Sequence, residues 1–115
     1  MKVLKDPDQV LQIMNRKLDE LRKKFEEAED KPETLEIVGE DASITSIAWY
    51  IRHTIEGHGC FDESDMAGVY EYAAETKRSA HEYSNPRTTW YMKGLAKGAA
   101  WACVGLEDRM MEGQS

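Results

Sequence analysis

The chain has 115 residues, of which 41% are hydrophobic and 32% charged, and its formal net charge is −7 at pH 7. This length is typical of one domain with one core, so we expect a single domain over residues 1–115. No apolar run reaches the roughly 20 residues of a membrane-spanning helix, and the acidic balance disfavours binding to nucleic acid by charge. The first ten residues lack the apolar region of a secretory signal, so we expect a cytoplasmic protein without a membrane partner.

The first predicted helix begins with Asp6 as its N-cap and Pro7 at the first helical position. Its apolar residues recur at alternating spacings of three and four: Leu11, Met14, Leu18, Leu21 and Phe25. This is an a/d seam of about two heptads, which fits either packing within a bundle or pairing with a second copy. Pro32 is expected to end the helix.

Acidic residues are concentrated after this seam. Residues 26–41 hold one base, Lys31, and eight acids: Glu26, Glu27, Glu29, Asp30, Glu33, Glu36, Glu40 and Asp41. We expect a short acidic connector over residues 33–42. The acidic patch is either a solvated surface or a contact for a basic partner.

Two helices are predicted in the middle of the chain. The second covers about residues 43–56 and places Trp49 and His53 on the face opposite its isoleucines, which makes that face a candidate contact for a protein partner. The third begins between residues 62 and 65 and ends near Tyr83.

The stretch HTIEGHGC between these helices brings together residues that can bind metal: His53, Glu56, His58 and Cys60. Their spacing matches neither HExxH nor a zinc finger. A simpler interpretation is a helix end with Gly57 as the left-handed C-cap. We therefore expect no metal site and no catalytic residue, and keep these four only as weak metal candidates.

The fourth predicted helix starts with Asn85 as its N-cap and Pro86, and runs to about Met111. It has a core stripe and, opposite, a second face with two tryptophans and several small residues. The candidate binding residues on or beside this second face are Arg87, Trp90, Gly94, Lys97, Gly98 and Trp101.

Glycine inside a helix costs about 1 kcal/mol relative to alanine, so Gly94, Gly98 and Gly105 need a compensating contact. One explanation is that the whole helix is buried. Another is that this face contacts a second copy or a planar ligand.

The segment NPRTTWYMKGLAKGAAWACVGLEDR, with the helix before it, resembles the helical hairpin of phage cyclic-nucleotide sponge proteins of the anti-CBASS and anti-Thoeris type, over residues 66–109. In that family an arginine after the turn is followed by a leucine, a small residue and a tryptophan, and here Arg87, Leu95, Gly98 and Trp101 correspond. The family's pair of acids is replaced by Ala96 and Lys97. The resemblance implies an oligomer that sequesters a cyclic nucleotide.

The sequence therefore predicts an all-α protein, either a small four-helix bundle or two packed helical hairpins. We expect a non-catalytic, self-associating protein that binds another protein, such as a phage-type inhibitor of a host system, and that uses no cofactor. The alternatives are a cyclic-nucleotide sponge and a metal-dependent enzyme using residues 53–60.

Overall fold

A computed structural model describes residues 2–110 and confirms the all-α fold class. Four α-helices occur within these residues: α1 (Pro7–Glu27), α2 (Leu35–His58), α3 (Glu63–Ser79) and α4 (Pro86–Arg109). One turn of 3₁₀ helix, Pro32–Thr34, joins α1 to α2. The predicted end of the fourth helix at Met111 lies outside the described residues.

Side-chain caps start three of the helices. The Asp6 carboxylate accepts a hydrogen bond from the Gln9 amide at the start of α1 (3.2 Å), and the Asn85 side chain accepts one from the Arg87 amide at the start of α4 (2.9 Å). Asp62 and Asp65 form a capping box before α3, in which each side chain accepts from the backbone amide of the other. The predicted starts of helices one, three and four are confirmed.

The predicted acidic connector over residues 33–42 is wrong for most of its length, because α2 already begins at Leu35. Acids at the amino end of a helix are favoured by the helix dipole, and Glu36 lies in this first turn. Leu35 and Ile37, which alternate with acids, therefore lie in a helix and not in a connector.

Two other predicted helix ends also differ from the structure. Helix α2 continues through Gly57 and His58, and the left-handed residue that follows it is Gly59, with φ of +82°. Helix α3 ends at Ser79, four residues before the predicted end at Tyr83.

The four helices form two hairpins, α1 with α2 and α3 with α4, which pack on each other through α2 and α4. Gly94 approaches Glu36 and Gly98 approaches Glu40, so these two central helices run parallel. Within residues 2–110, the core contains sixteen buried apolar side chains drawn from all four helices and the segments beside them. Phe61, Ile44, Ile51 and Leu106 have no exposed surface.

The segment before α1 lies in an extended conformation across one end of the molecule. The Leu4 amide donates to the Phe61 carbonyl (2.8 Å), and Leu4 also pairs with Met110 at the end of α4. Since the Leu4 side chain is buried, this segment closes the core at that end. Over residues 2–110, none of the helices combines the length and the apolar character needed to cross a membrane.

Candidate binding surfaces

The glycines of α4 serve a contact within the chain. A Cβ added to Gly94 would lie 2.8 Å from the Glu36 carbonyl carbon, and one added to Gly98 would lie 2.7 Å from the Glu40 carbonyl oxygen. Gly39 on α2 is equally close to the backbone of α4. The two predicted binding residues Gly94 and Gly98 are therefore buried against α2 and do not form a free surface.

Lys97 is held by two carboxylates of the acidic patch. Its Nζ lies 3.0 Å from Glu40 Oε1 and 3.2 Å from Glu36 Oε1. The hydrogen bonds that Lys97 donates to Glu40 first, and then to Glu36, raise the pKa of Lys97 above its usual value. The Glu40 side chain is only 8% exposed, so Lys97 balances a carboxylate that would otherwise be buried without a counter-charge.

Arg87, the other cation among the predicted binding residues, also contacts the acidic patch. A cyclic nucleotide would place its phosphate against such cations. Arg87 Nη2 donates to Asp30 Oδ1 at 3.3 Å, and both side chains are exposed. The positive charge that a phosphate would need is thus partly neutralised at both predicted positions. Trp90, between them, is half-buried and has the Lys93 ammonium 4.8 Å from its ring centroid.

An apolar groove lies between α1 and the second half of α4, which we call the α1/α4 groove. Its volume is about 510 Å³. Its walls are formed by Val10, Ile13, Met14, Trp101, Val104 and Gly105. Val104 is 61% exposed, and a Cβ added to Gly105 would meet no atom within 4 Å. This part of the predicted tryptophan and glycine face is open, unlike the part covered by α2.

The α1/α4 groove carries little net charge. Asp108 and Arg109, of opposite sign, lie at one end. At the other end the Lys17 ammonium is 5.6 Å from the centroid of the Trp101 ring, within the range of a cation–π contact. Sequence reasoning identified Trp101 but missed the α1 wall, because Val10 and Ile13 fall beside the a/d seam that defined the core of helix one.

A second apolar groove lies between the last turns of α1 and the first turns of α2, which we call the Phe25 groove. Its volume is about 300 Å³. The lining consists of four apolar and three charged residues: Leu21, Phe25, Ile37, Val38, Arg22, Glu26 and Asp41. Phe25 is 45% exposed, although it continues the seam in which Leu21 is 1% exposed. The a/d seam of α1 is therefore covered by other parts of the chain over most of its length, and only its last residue, Phe25, is exposed.

The predicted Trp49 and His53 face is exposed on α2. Trp49 is 58% exposed, and its ring centroid lies 3.9 Å from that of His53. His53 Nδ1 in turn lies 3.9 Å from a carboxylate oxygen of Glu56. Trp49 and His53 therefore form a small exposed aromatic pair on the surface of α2.

The four weak metal candidates do not converge. His53, Glu56 and His58 are exposed on the last turns of α2, and Cys60 is half-buried in the following turn. Among residues 2–110, no group of three or more histidine, cysteine, aspartate or glutamate side chains is placed to hold a metal ion.

Comparison of the chain with family models, with curated proteins and with solved structures finds no match in any of the three. The surfaces themselves are therefore the basis for a functional proposal.

Proposed function

We propose that this protein is a small, non-catalytic helical interaction protein that self-associates through its α1/α4 groove. The observation that carries the proposal is the open apolar groove around Trp101, Val104 and Gly105. A concave apolar surface of this kind is a typical site for an apolar helix face.

The shape of the groove suits a second copy of the same chain. Val104 projects into solvent directly beside Gly105, where a Cβ would meet nothing. In a two-fold symmetric dimer each surface contacts its own equivalent, so Val104 of each copy can fill the space above Gly105 of the other. The two α4 helices would then pack antiparallel, with Trp101 at the edge of the contact.

The charge of the groove supports the same occupant. Two copies with a net charge of −7 repel each other, so association is favoured where the acidic charge is low. The α1/α4 groove meets this condition, since Asp108 and Arg109 offset each other and Lys17 lies over Trp101.

Native mass spectrometry and light scattering of the untagged protein test this proposal. We expect a dimer for the natural sequence and a monomer for Val104→Asp, because an aspartate there would bury a charge in the interface. Trp49→Asp is the matched control: Trp49 is similarly exposed, at 58%, but lies on α2 outside the groove. It should leave the dimer intact.

A monomeric natural sequence, or a Val104→Asp variant that stays dimeric, would contradict the proposal. Added mass of nucleotide size would instead favour the cyclic-nucleotide sponge implied by the family resemblance. That ligand would have to displace Asp30 from Arg87, and Glu36 and Glu40 from Lys97.

A further inference from the structure

We infer that the Phe25 groove binds a basic amphipathic helix of a partner protein. This goes beyond self-association, because it concerns a different groove and a different occupant. The groove combines an apolar floor, an exposed phenylalanine and a set of charged residues around them.

The apolar floor is formed where α1 and α2 stop covering each other. Leu21 is buried at 1% exposure, whereas Phe25, one turn later, is 45% exposed. Ile37 and Val38 from the first turn and a half of α2 form the opposite wall and are only partly buried. An apolar side chain from a partner can therefore lie between Phe25 and this wall.

The charged residues around this floor are mostly carboxylates, with Arg22 among them. Glu26 and Asp41 line the groove, and Glu29, Asp30 and Glu33 are exposed on the adjoining connector. Three nearby cations are engaged with these acids: Arg22 with Asp41 (2.9 Å), Lys31 with Glu29 (3.1 Å) and Arg87 with Asp30 (3.3 Å). Lys23 and Lys24 add two more bases beside Phe25, but residues 22–41 still hold eight acids against four bases, so the surface keeps an excess of negative charge.

This charge decides between occupants. A second copy, itself at −7, would be repelled from this acidic groove, as would a nucleic acid or an anionic membrane surface. A basic partner is attracted. An apolar floor with charged edges is the arrangement that an amphipathic helix recognises, through apolar residues at spacings of three and four and cations on its flanks.

Fluorescence anisotropy with a labelled synthetic helix tests the inference. The probe contains leucines at spacings of three and four and lysines elsewhere, and its matched counterpart has glutamates in place of the lysines. We expect the lysine helix to bind and the glutamate helix not to bind. Phe25→Ser should weaken binding of the lysine helix by about tenfold, as expected when a central aromatic contact is lost.

Glu26→Lys provides a second variant, which leaves the apolar floor intact and reverses one charge of the groove. It should also weaken binding of the lysine helix. The matched controls lie on α3, outside the groove. Tyr70→Ser matches Phe25→Ser, since Tyr70 is 47% exposed, and Glu71→Lys matches Glu26→Lys, since it changes the net charge by the same amount. Circular dichroism verifies that each variant keeps its helices.

The inference is overturned if Phe25→Ser binds the lysine helix no more weakly than Tyr70→Ser, or if both synthetic helices bind equally. It is also overturned if Phe25→Ser abolishes the dimer seen in native mass spectrometry, since the occupant would then be a second copy. A Val104→Asp variant that is monomeric and still binds the lysine helix supports two separate surfaces.

Discussion

At the scale of single residues, three glycines set the distance between the two central helices. Gly39, Gly94 and Gly98 each face backbone atoms of the opposite helix, where any side chain would collide. Glycine lowers helix preference by about 1 kcal/mol per residue, so the close α2 and α4 contact must offset this cost. The helical spacing showed a small-residue face on α4 but could not show whether a second copy, a ligand or α2 covers it.

Alanine at Gly94 and at Gly105 should have opposite effects on stability. Gly94→Ala places a methyl group against the backbone of Glu36, and overpacking of this kind costs about 1–3 kcal/mol, more than the gain in helix preference. In a Val104→Asp background, which we expect to be monomeric, Gly105→Ala meets no atom within 4 Å and should raise the free energy of unfolding by up to about 1 kcal/mol. Urea unfolding followed by circular dichroism measures both. Equal stability of the two variants would contradict the described packing.

At the scale of helices, the sequence predicted where helices begin more reliably than where they end. An N-cap residue followed by proline is a local signal for a helix start. Asp6 with Pro7 and Asn85 with Pro86 are such pairs, and α1 and α4 begin there. The start of α2 has no such signal, because Thr34 makes no side-chain cap. Its first turns depend on contacts with distant residues of α4, which no local pattern could reveal.

Those distant contacts explain the wrong connector. Glu36 and Glu40 are one turn apart on α2 and both bind Lys97, sixty residues away along the chain. Gly39 lies between them against α4. The composition of residues 33–42 alone predicted a solvated linker. In the structure, two carboxylates, one lysine and one close backbone contact stabilise a helix there.

The capping box of α3 should make stability depend on pH in the acid range. Hydrogen bonds, chiefly from the Ser64 side chain, lower the pKa of Asp62 below its ordinary 3.8. A carboxylate with a lower pKa in the folded state stabilises fully above its ordinary pKa and loses this contribution as the pH falls through the folded value. Asp62→Ala should therefore lower the melting temperature near neutral pH, and the difference from the natural sequence should shrink below pH 4.

The control for this pH profile is Asp19→Ala, which changes an exposed aspartate within α1. Its melting temperature should follow that of the natural sequence at every pH. If the Asp62→Ala difference were the same at all pH values, ionised Asp62 would not be the group that caps α3.

At the scale of the whole molecule, two apolar grooves lie near opposite ends of α1 and differ in charge. The α1/α4 groove adjoins Val10 and Met14, and the Phe25 groove adjoins Leu21 and Phe25. The sequence located the acidic patch and Trp101, but it could not locate either groove. A groove depends on where two helices separate, and hydrophobic spacing within one helix does not report that.

Salt should act on the two grooves in opposite directions. Salt screens exposed charges over a Debye length of about 10 Å at 0.1 M, so it should weaken binding of the lysine helix at the Phe25 groove. It should strengthen the dimer, because the interface is apolar and the repulsion between two acidic copies is reduced. Anisotropy and light scattering across a sodium chloride series measure both. A dimer that dissociates with added salt would indicate an interface held by ion pairs.

The extended segment holds Leu4 between Phe61 and Met110, and it therefore determines the orientation of the protein when a carrier or a support is attached before Lys2. Lys5 and Met110 lie around a shallow depression that shares Val10 and Arg109 with the α1/α4 groove. A carrier fused before Lys2, or a support tethered there, would start beside Glu63 at this end of the molecule, because the Lys2 carbonyl accepts a hydrogen bond from the Glu63 amide (2.9 Å). The opposite end of α1, with Phe25 and its carboxylates, would point away from the support, so an immobilised monomer would leave the Phe25 groove open to a partner.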